Sequence, residues 1–305
     1  MRSLKQSFDF HCHSTASDGT LSPVEVLELA LASGLKSWSL TDHDTIAGYQ
    51  EVMARLATLR QQSNNAGGSS EKLACGGVEL ASEPFEVVPG VEISGNWNGV
   101  TVHVLAFGFR PQSKEILTFL DKQQTRRQKR AIKIAERIES KLKVADAYQK
   151  ACAISGDQLP ARPHFAQLLI AENKIKSSSE AFAKYLGAGK WGDVKLFWPD
   201  LEELMQAVLL AGGVAVLAHP FQYRLTATKL RQLLDSLAGV GGAGAELAVP
   251  NISHGHYGWL VNELCRRKMT QSGGSDFHGS ATPWSQLGHF PSLSNRIPTV
   301  AEMLE

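Results

Sequence analysis

The chain alternates short apolar runs with amphipathic stretches, and a metal-ligand type of residue closes one apolar run after another. The run Ser7-Phe8-Asp9-Phe10-His11-Cys12-His13 has a period of two, so a strand here sends His11 and His13 to one face and Cys12 to the other. Asp18 follows in a Ser-Asp-Gly turn, and Pro23 ahead of a Val/Leu/Ala-rich stretch predicts the first turn of a helix. The same strand, turn and helix grammar recurs. Residues 36–40 end in Thr41-Asp42-His43-Asp44, Pro89-Gly90-Val91 ends in Glu92, and Val100-Thr101-Val102 meets His103. Further on, residues 214–218 deliver His219-Pro220, residues 243–247 predict another strand, and residues 269–274 run into Asp276 and His278.

This pattern predicts an α/β fold in which β/α material spans residues 1–111 and 192–292. Between them, residues 112–191 break the alternation. Ile116, Leu117, Leu120, Ile132, Ile134, Ala135, Ile138 and Leu142 recur at helical spacing across residues 113–143, and further helices are expected near 163–172 and 179–186. The block reads as a helical insertion beside the rim of the β/α unit. Residues 61–77, with Ser-Asn-Asn-Ala-Gly-Gly-Ser-Ser, have neither hydrophobic period nor bulk and are expected to form a surface loop, to which no role is assigned. Residues 293–305 read as a short closing tail, and no internal repeat is visible.

In an alternating β/α chain the strand C-termini converge on one face, so residues far apart in sequence meet there. That convergence would gather nine candidate ligands: His11, His13, Asp18, His43, Glu92, His103, His219, Asp276 and His278. Imidazole and carboxylate without thiolate suit Mn²⁺, Zn²⁺ or Fe²⁺ better than Ca²⁺ or a dedicated Mg²⁺ site, with Mn²⁺ first and Mg²⁺ an allowed substitute. Nine groups exceed what one ion takes, which implies two or three ions. Such a cluster brings the pKa of a bound water toward neutrality, supplies a hydroxide nucleophile and neutralises phosphoryl charge, so hydrolysis of a phosphate ester is the expected chemistry.

Composition narrows the setting. A chain of 305 residues, 43% hydrophobic with 27 glycines, is long enough for one large core and a small extra module. The net charge of +1 gives no global field for nucleic acid, so local patches would have to hold such a substrate. Cys12, Cys75, Cys152 and Cys265 form no CxxC pair, which argues against a disulfide framework or thiolate zinc site and for a reducing, cytoplasmic setting. No export signal precedes the first strand, and no apolar run approaches the roughly 18 residues needed to cross a bilayer. No obligate protein partner is evident.

The HxH with a downstream Asp, TDHDT, PGVEIS, His103-Val104-Leu105-Ala106-Phe107-Gly108, AHP and GSDFH together resemble the motif set of the polymerase and histidinol phosphatase (PHP) family. The match spans about two thirds of the chain. The Ala161-Arg162-Pro163-His164-Phe165-Ala166 stretch, and His219-Pro220 followed by Tyr223-Arg224, resemble the branch holding nucleoside 3′,5′-bisphosphate phosphatases and 5′-to-3′ exoribonucleases. The resemblance implies a distorted (β/α)7 barrel with a trinuclear centre, usually active with manganese. It assigns His11, His13, Glu92 and Asp276 to one metal, makes Glu92 a bridge to a second held by His103 and His219, and gives Asp18, His43 and His278 the third. The Gly/Ser-rich stretch before Glu92 looks longer than the family needs and bears on access to the site.

Substrate recognition is read from the insertion. Arg126, Arg127, Lys129, Arg130 and Lys133 load one helix with positive charge, and Arg130, Lys133 and Arg137 share a face at three- and four-residue spacing. If the insertion folds over the metals, Arg130, Arg162 and His164 are placed to hold a second phosphate, since guanidinium groups bind phosphate oxygens bidentately. Arg224, five residues past His219, is expected to face the nucleotide. His254-x-His256 copies the HxH spacing but is read as surface or outer support, and a site contact for Glu246 is left open. The expected activity is removal of the 3′-phosphate from nucleoside 3′,5′-bisphosphates, trimming of short 5′-phosphorylated RNA 5′-to-3′, or both. The alternatives are another PHP phosphatase of the histidinol-phosphate type, an amidohydrolase-like enzyme attacking a C–N bond, and a metal-stabilised binding module without turnover.

Overall fold

The structure is a computed structural model and describes residues 1–65, 74–75, 78–79, 85–156, 158–279 and 285–304. Parallel strands Phe8–Asp9, Ser37–Trp38 and Glu86–Val87 form one sheet in that order. A second sheet runs Thr270–Gly273, Gly244–Ala248, Val214–Leu217, Val100–Phe107, Gly90–Trp97, parallel through its first three strands and antiparallel through the last two. Main-chain hydrogen bonds carry the pairing from one sheet to the other. The Phe10 amide donates to the Gly273 carbonyl and the Asp276 amide to that of His11, while the Asp44 amide donates to the Glu92 carbonyl. Parallel bridges pair Cys12 with Phe277 and His43 with Glu92.

Helices follow the strands where the pattern predicts. Pro23–Ala32 starts on a capping box, in which the Ser22 hydroxyl accepts from the Glu25 amide and the Glu25 carboxylate accepts from the Ser22 amide. Ala227–Gly239 and His254–Arg267 connect the parallel strands of the larger sheet. One expectation fails at Glu92 and His103. These residues do not close strands that turn into helices; they face each other's strands inside a β-hairpin, Gly90–Trp97 against Val100–Phe107. Asn98 and Gly99, at φ 48° and 75°, make the left-handed two-residue turn that closes a hairpin, so the chain reverses without a helix. The loop expectation for 61–77 fails in part, because residues 61–65 continue the helix Ala47–Asn65. Of the remainder, 74–75 pair with 78–79 of an antiparallel ladder, and 66–73 and 76–77 lie outside the described residues.

The helical block contains Lys114–Leu142, Ala147–Ser155, Arg162–Ala171, Ser178–Ala181 and a π-helical turn Phe182–Leu186; only Ala147–Ser155 was not anticipated. The long helix serves two cores. Ile116, Phe119 and Leu120 pack into the cluster built on the larger sheet, whereas Ala131, Ile134, Ala135 and Ile138 pack with Phe165, Leu169 and Leu186 of the block itself. Between those segments Gln123, Arg127 and Arg130 follow helical spacing, and this stretch overlooks the strand ends. The tail pairs beside Thr270–Gly273, with the Val300 amide donating to the Gln271 carbonyl. Among the described residues, no helix is long and apolar enough to cross a membrane.

Candidate functional site

All nine residues singled out as ligands meet in one place, with Glu92 at the centre. Its carboxylate, 1% exposed, faces five imidazoles: His11 at 3.3 Å, His13 and His43 at 3.1 Å, and His103 and His219 at 2.9 Å. Asp276 lies 3.3 Å from His11 Nε2 and 3.5 Å from His13 Nε2. On the other side, Asp18 Oδ1 stands 3.5 Å from His278 Nε2 and 3.9 Å from His43 Nε2. His13, Asp18, His43 and His278 therefore form one candidate cluster, His11, His13 and Glu92 a second, and His43, Glu92 and His103 a third.

Three buried aspartates not singled out in the sequence hold this geometry. Asp9 accepts from the backbone amides of His11, Ser275 and Gly288, tying the first strand to the last; burial pushes its pKa up to about 6. Asp42 accepts from the Ser14 amide and the Ser14 and Ser17 hydroxyls, all at 2.7 Å, which fixes the turn carrying Asp18. Asp44, in left-handed backbone at φ 58°, accepts from the Ser94 amide and hydroxyl, Gln123 and Arg127. Burial alone would raise Asp44, yet the Arg127 guanidinium and His43 hold it below its ordinary value. Two of these acids flank His43 in TDHDT, and the alternation around Phe8-Asp9-Phe10 buries the third. Glu246 proves to be a fourth support: fully buried, it meets His11 Nδ1 at 2.9 Å and accepts from the His219 amide at 2.7 Å. Gly274 is required beside it, since a Cβ there would fall 2.4 Å from that of His11.

The donor set fits divalent metal. His11 Nε2, both ring nitrogens of His13, His43 Nδ1 and His219 Nδ1 are buried without a hydrogen-bond partner, a costly state unless something else takes their lone pairs. The carboxylates are held ionised. Burial favours protonation of Glu92, but His43, His103 and His11 outweigh it and keep the group well below the usual carboxylate range; Asp18 and Asp276 behave likewise. Burial drives His43 down to about 3, against the pull of Glu92 and Asp18. His219 and Asp276 adopt left-handed backbone at φ 26° and 50°, strain of the kind that a surrounding site sustains.

A cleft of about 280 Å³ opens over this cluster and reaches the helical block. Arg127, Arg130 and Arg162 line it. Arg130 is buried against Trp198, its guanidinium 5.2 Å from the ring centroid, and its Nε donates to the Val194 carbonyl. Burial, then the neighbouring Arg162 and Arg127, press its pKa well below the ordinary arginine value, so the three cations repel each other across the cleft. Of the face expected on this helix, only Arg130 reaches the cleft. Lys133 points to Glu136 on the surface and Arg137 donates to the Trp191 carbonyl, while Arg127, not singled out as a site residue, enters the cleft. His164 is half-buried and outside the cleft lining, its Nδ1 accepting from the Ala161 amide. Arg224 does not meet its expectation either: it is exposed just past the turn Pro220–Tyr223, which sends Gln222 into the cleft in its place. His254 and His256 are exposed, His256 stacked on Phe221.

The chain is 33% identical over 301 residues to the 5′-3′ exoribonuclease of Haemophilus influenzae, spanning 98% of this chain and 99% of that protein. It is 30% identical over 288 residues to the 3′,5′-nucleoside bisphosphate phosphatase of Chromobacterium violaceum, spanning 94% and 92%. The chain belongs to the PHP family. Within the PHP family it sits with the Escherichia coli 5′-3′ exoribonuclease Rnm as well, at 32% identity over 281 residues, 92% of this chain and 88% of that one. No family model matches the chain. Among solved structures, an amidohydrolase from Chromobacterium violaceum with bound sulfate and no metal superposes with a TM-score of 0.81 at 29% identity, covering 98% of this chain and 95% of that one. A Bifidobacterium adolescentis protein named as a metal-dependent phosphoesterase superposes at 0.76 and 27% identity, covering 99% and 96%. This PHP protein is accordingly a mixed α/β enzyme that hydrolyses phosphoric esters and depends on divalent metal.

Proposed function

We propose that the enzyme removes the 3′-phosphate of nucleoside 3′,5′-bisphosphates and, by the same hold on a 5′-phosphate, trims short 5′-phosphorylated RNA from its 5′ end. The observation that carries this reading is the juxtaposition of a carboxylate and imidazole cluster with three mutually repelling arginines across one cleft. A substrate with a second phosphate relieves that repulsion; an amide substrate gives the arginines nothing to neutralise. The relatives named for exoribonuclease and bisphosphate phosphatase activity support the same choice.

In this reading His11, His13, Glu92 and Asp276 would hold one ion, His103 and His219 with Glu92 a second, and Asp18, His43 and His278 a third. Manganese is the preferred ion. When bound, divalent ions supply Lewis-acid charge that eases deprotonation of water and offsets the charge of a phosphoryl group. The chain itself does the rest. Asp9, Asp42, Asp44 and Glu246 fix where the ligands point, Arg127, Arg130 and Arg162 bind and orient the phosphate that is not cleaved, and Gln222 lines the same cleft. The inter-sheet hydrogen bonds support a distorted (β/α)7 barrel, with residues 112–191 as its substrate cap and 293–305 as a tail. A cytoplasmic location fits the free Cys12, Cys152 and Cys265.

The test is phosphate release with Mn²⁺ from adenosine 3′,5′-bisphosphate and from histidinol phosphate, together with release of nucleoside 5′-monophosphate from a 5′-phosphorylated oligoribonucleotide. The bisphosphate and the oligoribonucleotide should turn over far faster than histidinol phosphate, and a chelator should abolish all three. Equal rates on the bisphosphate and histidinol phosphate would remove the second-phosphate site.

A further inference from the structure

A nucleotide has a base as well as phosphates, and the cleft contains one half-buried aromatic ring for which the chemistry above has no use. Phe182 lines the cleft beside Arg162, whose guanidinium lies 5.9 Å from the ring centroid. The backbone is shaped to put it there. Phe182–Leu186 is a single π-helical turn, a rare element that costs hydrogen-bond geometry and recurs at functional sites. The turn closes with the Gly187 amide donating to the Phe182 carbonyl at 3.0 Å, and only glycine fits, since a Cβ at Gly187 would fall 2.4 Å from that oxygen.

We propose that Phe182 is the nucleobase platform of this enzyme, stacking the base of the nucleotide whose phosphate Arg162 holds, and so making the enzyme select nucleotides over sugar bisphosphates. Every base has a π-face, so the platform favours a base without choosing among the four. Arg162 ties the two contacts together, because its guanidinium lies over the Phe182 ring and lines the same cleft. The proposal rests on the bisphosphate reading of the cleft given above.

Calorimetric binding to the metal-free protein, together with kcat/KM in Mn²⁺, separates the two. Adenosine 3′,5′-bisphosphate is compared with ribose 3,5-bisphosphate, which lacks the base. In F182A, Kd for the nucleotide should rise about tenfold and kcat/KM fall about tenfold, with both values for the sugar bisphosphate unchanged. F182Y should behave as wild type, and F182L, which keeps bulk and fold, should lose most of the preference. Equal weakening of both ligands in F182A and F182L, or no weakening of either, would overturn the platform while leaving the cleft assignment intact. A wild-type protein that binds and cleaves neither bisphosphate would overturn the reading of the cleft, and the platform with it.

Discussion

Glu246→Gln isolates how the metal ligands are kept in their working state. Glu246 Oε1 faces His11 Nδ1 at 2.9 Å and Oε2 accepts from the His219 amide at 2.7 Å. With a carboxylate in place, His11 carries its proton on Nδ1 and presents Nε2 to Glu92 and Asp276, both 3.3 Å away. Glutamine has nearly the same shape, but the His219 amide demands the amide oxygen, so the NH₂ group must turn toward His11. Two donors then meet unless His11 moves its proton to Nε2, which removes the lone pair aimed at the site. Changes to such supporting groups weaken metal binding by about 10–100-fold, or about 1.4–2.7 kcal/mol. Calorimetric titration of the metal-free protein with Mn²⁺ measures it. E246Q should show that loss. Unchanged Mn²⁺ affinity in E246Q would refute this account of His11.

Further outcomes follow from the same geometry. In the metal-free protein Asp18 overcomes burial and holds His278 up to about 10, above the ordinary imidazole value of 6.5. Its ion pair therefore stabilises the metal-free fold fully below pH 6.5 and is lost as pH rises toward 10, a slope in melting temperature that H278N should flatten. The same ring must shed its proton to take metal, so Mn²⁺ uptake at pH 8 should release protons, seen as a dependence of binding heat on the buffer. Glu263, far from the cleft, is depressed to about 2: burial opposes this, but Arg267, Arg231 and Arg266 prevail. Its contribution is present above pH 4.5 and fades as pH falls toward 2, so E263Q should lose stability at pH 7 and approach wild type near pH 3. An E263Q deficit that persists undiminished in acid would contradict that reading. R127A should both raise KM for adenosine 3′,5′-bisphosphate and lower kcat in steady-state kinetics, because Arg127 lines the cleft and also pairs at 2.7 Å with the buried Asp44 beside His43.

The ligand residues were legible because each stands next to a short, strongly patterned apolar run, and strand ends in an α/β fold converge whatever the loop lengths. What periodicity could not show is strand direction. Gly90-Val91 and residues 100–102 read as ends of parallel units, and only Asn98-Gly99 signalled the hairpin that makes His103 a mid-strand residue. Supporting acids were hidden for a related reason: Asp9, Asp42 and Glu246 look like ordinary polar positions until the backbone amides they accept from arrive from distant segments. Charge counting found the right helix and Arg130 on it, but missed Arg127 and put Lys133 and Arg137 on the same face. Arg127 and Arg130 turn to the cleft because Gln123 and Arg127 dock on Asp44, a tertiary contact that spacing alone does not encode. Arg224 was misplaced by two residues, since the turn Pro220–Tyr223 presents Gln222 instead.

The central claim is that nine scattered imidazoles and carboxylates bind a cluster of divalent ions around Glu92. A crystal grown with Mn²⁺ and measured for anomalous scattering tests it most directly. Two or three peaks within coordination distance of His11, His13, Asp18, His43, Glu92, His103, His219, Asp276 and His278 are predicted, with one ion pair sharing Glu92. A fully ordered site with no anomalous density between those side chains, in a protein that still hydrolyses its substrate, would contradict it.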